Sequence, residues 1–104
     1  MENKDVVILN IGMFDKDTKK QELSDDEFVN IISEFFDCTI TKGIGVYTHN
    51  FGTKVIEPSL KVEVYNKEYT TIYWDARKLC KRLNQESIVL TRSKLSSIVF
   101  VGNE

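Results

Sequence analysis

Tyr47, Glu57 and Ser59 carry groups able to move protons or hold a polar ligand, and all three fall on one face of an expected strand pair, with His49 at the joining turn. A glutamate placed there would serve as general base, with Tyr47 or His49 as proton donor and Ser59 or Gln85 orienting the substrate. The ordinary fate of a strand glutamate is a solvated surface, and that reading stands beside the catalytic one. Lys61 and Glu63 share the face. Gly43 and Gly45 interrupt the facing strand next to Ser59 and Lys61; a glycine inside a strand marks a bulge, a seam between copies, or close approach by a ligand or second backbone. Pro58 lacks a ladder donor, which predicts an edge or a bulge there and re-aims Glu57. A second polar group, Gln85-Glu86-Ser87, lies where a helix hands over to a strand. Asn84 as a left-handed helix cap and Ser87 as a strand start account for part of it, leaving Gln85 and Glu86 as ligand contacts.

Tyr73, Trp74, Arg77 and Lys81 form a different constellation. Trp74 and Arg77 stand at i, i+3 on a helix and can stack, and Trp, Tyr and Arg are the residues most enriched at interface hot spots. With Lys78 and Arg82 they also read as a solvated basic face that complements the helix C-terminus. Trp74 falls outside the Ile72–Leu79–Leu83 stripe, which predicts an exposed partner-binding strip.

Other chemistry is poorly supplied. Cys38, Cys80 and His49 are too few and too scattered for structural zinc, and the two cysteines read as small, reduced, buried residues, one at a helix end and one in a helix interior. Gly43-Ile44-Gly45 lacks the third glycine and the following helix of a phosphate loop. No metal or cofactor is predicted. The 104 residues carry 14 basic and 16 acidic side chains, a net charge of −2, which argues against dedicated DNA or RNA binding. No apolar run approaches the ~18–20 residues of a membrane helix, and the first residues have no secretory pattern, so a cytoplasmic protein is expected.

These groups must be positioned by a small number of elements in what reads as a single domain, residues 1–104. Val6 to Met13 is a near-continuous apolar run and reads as a central strand. Asp15 to Glu22 has no periodicity and reads as a solvated loop. Ser24-Asp25-Asp26-Glu27 is a capping box, stapled by Leu23 and Phe28, and Phe28, Ile31, Ile32 and Phe35 then form one helical stripe. From Thr39 the period changes to two: Ile40, Ile44 and Val46 share a face, opposite Thr39, Thr41 and Tyr47. With Gly52 left-handed in a tight turn, Tyr47 is expected opposite Glu57, and Ile44 opposite Leu60. Asn66 to Thr70 reads as a polar connection, and Ile72, Ala76, Leu79, Cys80 and Leu83 mark a second amphipathic helix. Ser87 to Thr91 is a strand, with Ile98 to Val101 a short fifth one or its extension. The order β-α-β-β-α-β predicts an α+β, ferredoxin-like sandwich, an antiparallel sheet with both helices on one face.

Ile11-Gly12, Ser24 to Phe28, Gly45-Val46-Tyr47, Val55-Ile56-Glu57 with Ser59, and Asn84-Gln85-Glu86-Ser87-Ile88 resemble a set of short uncharacterised proteins of bacteria, their phages and mobile elements, marked by a Glu-x-Ser and a late Gln-Glu-Ser. The resemblance implies a common site of Glu57, Ser59, Gln85, Glu86 and Ser87. It also implies an anti-defence protein that blocks a host immune protein or sequesters its nucleotide-type signal in the cytoplasm of the host cell; the lack of a recognisable catalytic set, Trp74 with its basic neighbours and the small size make the expected protein a non-catalytic, homo-oligomeric binder. The alternative is a small enzyme with Glu57 as base on the open sheet face.

Overall fold

Residues 5–48 and 52–94 are described by the structure, a computed structural model. They fold as β1 (Asp5–Gly12), α1 (Asp25–Ser33), β2 (Cys38–Thr48), β3 (Lys54–Lys67), α2 (Tyr69–Arg82) and β4 (Val89–Lys94). The strands pair antiparallel in the order β2-β3-β1-β4, so β1 is central, and the architecture is the expected ferredoxin-like sandwich. The expected fifth strand, Ile98 to Val101, lies outside the described residues, as does His49.

Both halves of the capping box at Ser24 are made: Glu27 N–H donates to Ser24 Oγ and Ser24 N–H to Glu27 Oε1, each at 3.1 Å. Phe28 and Ile32 of α1, and Ile72, Ala76 and Leu79 of α2, are buried in one cluster with Val7, Leu9 and Ile11 of β1 and Leu60, Val62 and Val64 of β3. These strand residues share one parity through the β1–β3 register, in which Leu9 faces Val62 and Ile11 faces Leu60. Both helices therefore cover the same side of the sheet. Each large side chain so buried contributes on the order of 1.5–3 kcal/mol. The other side, carrying Asn10, Gly12, Tyr47 and Glu57, has no helix over it among the described residues.

Several local expectations shift. The β2–β3 register places Tyr47 opposite Val55, Ile44 opposite Pro58 and Gly45 opposite Glu57, two positions from the expected pairing, and the ladder closes at Thr48–Lys54. A slip of two keeps every side chain on its face, so the hydrophobic pattern does not discriminate between the two registers. Gly52 is left-handed, as expected, with φ 80°. The β2–β3 register runs through Pro58 without a bulge. Pro58 is tolerated because β1 ends at Gly12, opposite Ser59; the Pro58 carbonyl, on that side, accepts Met13 N–H at 3.0 Å. β3 runs on to Lys67 and α2 starts at Tyr69, so the polar connection shrinks to Glu68, with the Tyr69 ring packed against the core. Cys38 opens β2 rather than ending a helix, and both cysteines are half-buried, where desolvation pushes their thiols up.

The β2–β3 hairpin outruns the helices, giving extents of 49 × 28 × 22 Å. Ile44, Val46 and Ile56 sit on its helix-side face yet are 76%, 57% and 64% exposed. No helix among the described residues is long and apolar enough to cross a membrane.

Candidate functional site

Phe14, just past the end of β1, is held from both sides. Glu57 Oε2 accepts its backbone N–H at 3.0 Å, and Gln85 Nε2 donates to its carbonyl at 2.8 Å. Gln85 is itself fixed by the end of α2, where Asn84 N–H donates to the Lys81 carbonyl and Gln85 N–H to that of Cys80. With Asn84 at φ 50°, this is the left-handed cap expected from the sequence, in its Schellman form. The Cys80 thiol closes the turn by donating to the Gln85 carbonyl at 3.3 Å.

Two glycines seat the functional side chains. A Cβ on Gly12 would stand 2.7 Å from the Glu57 carboxyl carbon and 2.9 Å from Oε2, so the bare backbone of β1 is what lets this carboxylate reach Phe14. Gly45 does the same for Tyr47, whose ring folds back along its own strand; a Cβ there would stand 2.6 Å from ring Cε2 and 2.8 Å from the hydroxyl oxygen. Gly45 thus makes room for a neighbouring side chain, whereas Gly43 faces open space. The two glycines lie opposite Glu57 and Ser59, not Ser59 and Lys61 as expected.

Tyr47, Glu57, Gln85, Glu86 and Ser87 line a single cleft of about 810 Å³, together with Phe14. Its remaining wall includes Asn10 and the loop residues Lys16 and Lys19. Ser59 does not join them: it is 8% exposed and its hydroxyl donates to the Ile11 carbonyl at 3.3 Å. Lys61 and Glu63 pair at 3.4 Å, and the Tyr65 hydroxyl beside Glu63 holds its carboxyl below the usual range. His49 falls outside the described residues. Sequence reasoning missed Asn10, Phe14, Lys16 and Lys19. A signal for the loop was present in Asp15-Lys16-Asp17-Thr18, where an aspartate two and three residues ahead of free N–H groups favours a side-chain-closed turn.

Chemically, the cleft offers a carboxylate whose second oxygen, Oε1, has no hydrogen-bond partner among the described residues, flanked by aromatic residues. The carboxylate suits a cation by charge, and Phe14 and Tyr47 line the same cleft. Asn10, on the same sheet face, carries an amide with no partner among the described residues, able to pair with a polar heterocycle edge.

Compared with known proteins, the chain matches no family model and no curated protein. Two solved structures resemble it along nearly its whole length. A phage SAM lyase in its apo state superposes with a TM-score of 0.60 at 15% identity, over 97% of this chain and 98% of that one. A DUF3240 family protein from Shewanella baltica OS155 gives a TM-score of 0.54 at 10% identity, over 98% and 100%. At these identities the likeness is one of fold.

The expected strip on α2 is a stacked surface. Trp74 is 54% exposed, the Arg77 guanidinium lies 5.2 Å from its ring centroid, and the Tyr73 ring meets it edge-on at 5.5 Å. Lys81 is exposed on the same helix. Tyr69 and Arg92 extend the stack onto β4, at 4.5 Å from guanidinium to ring centroid, a neighbour the helix sequence alone does not reveal.

Proposed function

We propose that this chain is an anti-defence protein of a phage or mobile element that captures S-adenosylmethionine, a nucleoside-type sulfonium, in the cleft around Glu57. The observation that carries the reading is the Glu57 carboxylate, fixed through Oε2 by Phe14 N–H and seated over Gly12, with no hydrogen-bond partner for Oε1 among the described residues, in a cleft that Phe14 and Tyr47 also line. A sulfonium centre is a permanent cation that cannot donate a hydrogen bond, so a carboxylate and ring faces are the groups that recognise it. The Asn10 amide suits an adenine edge, and the fold-level likeness to a phage SAM lyase supports the same ligand class by analogy. Sequestration needs only this binding. Cleavage is the second reading, favoured by the Oε1 left without a hydrogen-bond partner among the described residues, an oxygen free to accept a proton.

One experiment separates these outcomes. Purified protein is titrated with S-adenosylmethionine in a calorimeter, and the mixture is then analysed by chromatography for methylthioadenosine. A stoichiometric complex without product supports sequestration, and product beyond one equivalent supports a lyase; either should be lost in Glu57→Gln. No heat and no product overturn the proposal.

A further inference from the structure

The segment between β1 and α1 is the solvated loop expected, and its turns are closed by side chains. Asp15 Oδ1 accepts Asp17 N–H at 2.8 Å and Thr18 N–H at 3.1 Å. Asn84 Nδ2 donates to Asp15 Oδ2 at 2.9 Å and to Asp17 Oδ2 at 3.0 Å. Backbone bonds close the ring: Lys19 N–H to the Asp15 carbonyl, Asp15 N–H to that of Lys20, and Lys16 N–H to that of Asn84. Lys19 is held at φ 62°, a left-handed conformation that a side-chain-bearing residue adopts only when its surroundings over-determine it.

The outcome is that Lys16 and Lys19 stand at the wall of the Glu57 cleft. Asp15, which also lines the cleft, and Asp17 bond Asn84 and backbone N–H groups, and neither ammonium has a hydrogen-bond or ion-pair partner among the described residues, Lys16 acting on the Asp15 carboxylate only through its charge. Glu57 and Glu86 line the same cleft and, with Asp15, supply negative charge. The cleft therefore carries both signs of charge, with Lys16, Lys19 and Asp15 on the loop, Glu57 on β3 and Glu86 before β4.

We infer that Lys16 and Lys19 form an anion subsite that binds the carboxylate of a zwitterionic ligand whose cationic centre faces Glu57. This deepens the reading of the cleft as a site for S-adenosylmethionine and rests on it. The subsite discriminates carboxylate-bearing sulfonium compounds from their decarboxylated counterparts, and it reaches the phosphate of a nucleoside monophosphate in the same cleft. Two charge-assisted contacts of this kind account for roughly 10- to 100-fold in affinity.

The test is calorimetric titration of the full chain and of K16Q/K19Q with S-adenosylmethionine, decarboxylated S-adenosylmethionine and adenosine 5′-monophosphate. Both lysines are exposed, and the loop is held by bonds that use neither side chain, so the variant keeps its fold. The expected result is a loss of about 10- to 100-fold for S-adenosylmethionine in the variant, with its decarboxylated analogue changed by less than about threefold. Equal loss for both sulfonium ligands, or no loss for either, overturns the subsite. If the unsubstituted protein binds neither sulfonium, the S-adenosylmethionine reading fails by itself. The monophosphate then decides the subsite, which stands if its binding depends on the two lysines and falls if binding is absent or insensitive to them.

Discussion

Gly12→Ala is the sharpest perturbation of the site, because the added methyl meets a side chain that can move. The new Cβ would lie within 3 Å of the Glu57 carboxyl carbon and Oε2, a distance real Cβ atoms do not tolerate. The carboxylate must then leave its 3.0 Å contact with Phe14 N–H. Losing a hydrogen bond to a charged acceptor costs about 1.5–3 kcal/mol, and the half-buried position of Glu57 puts this one at the lower end. Against that, Gly→Ala at an ordinary backbone conformation stabilises by about 0.4–1 kcal/mol through the unfolded chain, and Gly12 has no positive φ. The net expectation is a loss of about 1 kcal/mol, measured by urea denaturation, with faster exchange of the Phe14 amide. In a Glu57→Ala background the obstacle is gone, and the same substitution should stabilise by about 0.4–1 kcal/mol. Equal destabilisation in both backgrounds would refute the reasoning, since it would place the clash on the backbone rather than on the carboxylate.

Ser24→Ala removes the hydroxyl that accepts Glu27 N–H and should cost about 1 kcal/mol in thermal or urea unfolding, with Ser24→Gly costing a few tenths. The Asp15 carboxyl is held below its ordinary value first by the Asn84 amide and then by the N–H groups of Asp17 and Thr18, and that of Asp25 by Lys42 and Gln21. A folded-state pKa below the unfolded one gives stability present above the unfolded value and lost as pH falls through the folded value. The urea midpoint should therefore drop between about pH 5 and pH 3, and Asp15→Asn should flatten that limb. Trp74→Ala, at an exposed position, should change stability by less than about 0.5 kcal/mol while abolishing any partner contact made by the α2 strip, read by calorimetry with that partner. For the self-association expected from the sequence we propose the exposed apolar residues Ile44, Val46 and Ile56 as the contact; native mass spectrometry should find an assembly that Ile44→Asp with Ile56→Asp reduces to monomer, and a monomeric unsubstituted protein would refute it.

How much of this was legible in the sequence depends on the range of the interaction. The capping box at Ser24, the left-handed Asn84, the turn glycine Gly52 and the parity of Tyr47 with Glu57 are local or period-two signals, and each is found where the residues predict it. The hairpin register was off by two positions because burial marks faces and not steps along them. The start of α2 at Tyr69 was hidden by polar neighbours, since what extends the helix is the packing of that ring against the core.

The site shows the same division more sharply. Glu57 and Gln85 were visible as residues out of place, a glutamate beside a strand proline and a glutamine at a helix exit. Their common purpose was not visible, because it is the backbone of Phe14, 43 positions from Glu57 and 71 from Gln85. A main-chain N–H and C=O carry no sequence identity, so nothing in the residue type of Phe14 announces that two distant side chains converge on it. Gly12 is legible only once that convergence is known: as the last residue of an apolar strand it reads as a simple end, whereas its missing methyl is what admits the carboxylate. The loop from Asp15 to Lys20 follows from the same geometry, since Asn84 fixes both the exit of α2 that presents Gln85 and, through its side chain, the turn that presents Lys16 and Lys19. One left-handed asparagine thus sets two walls of the cleft relative to each other, which is why substitutions at Asn84 should alter the cleft more than their effect on α2 alone would imply.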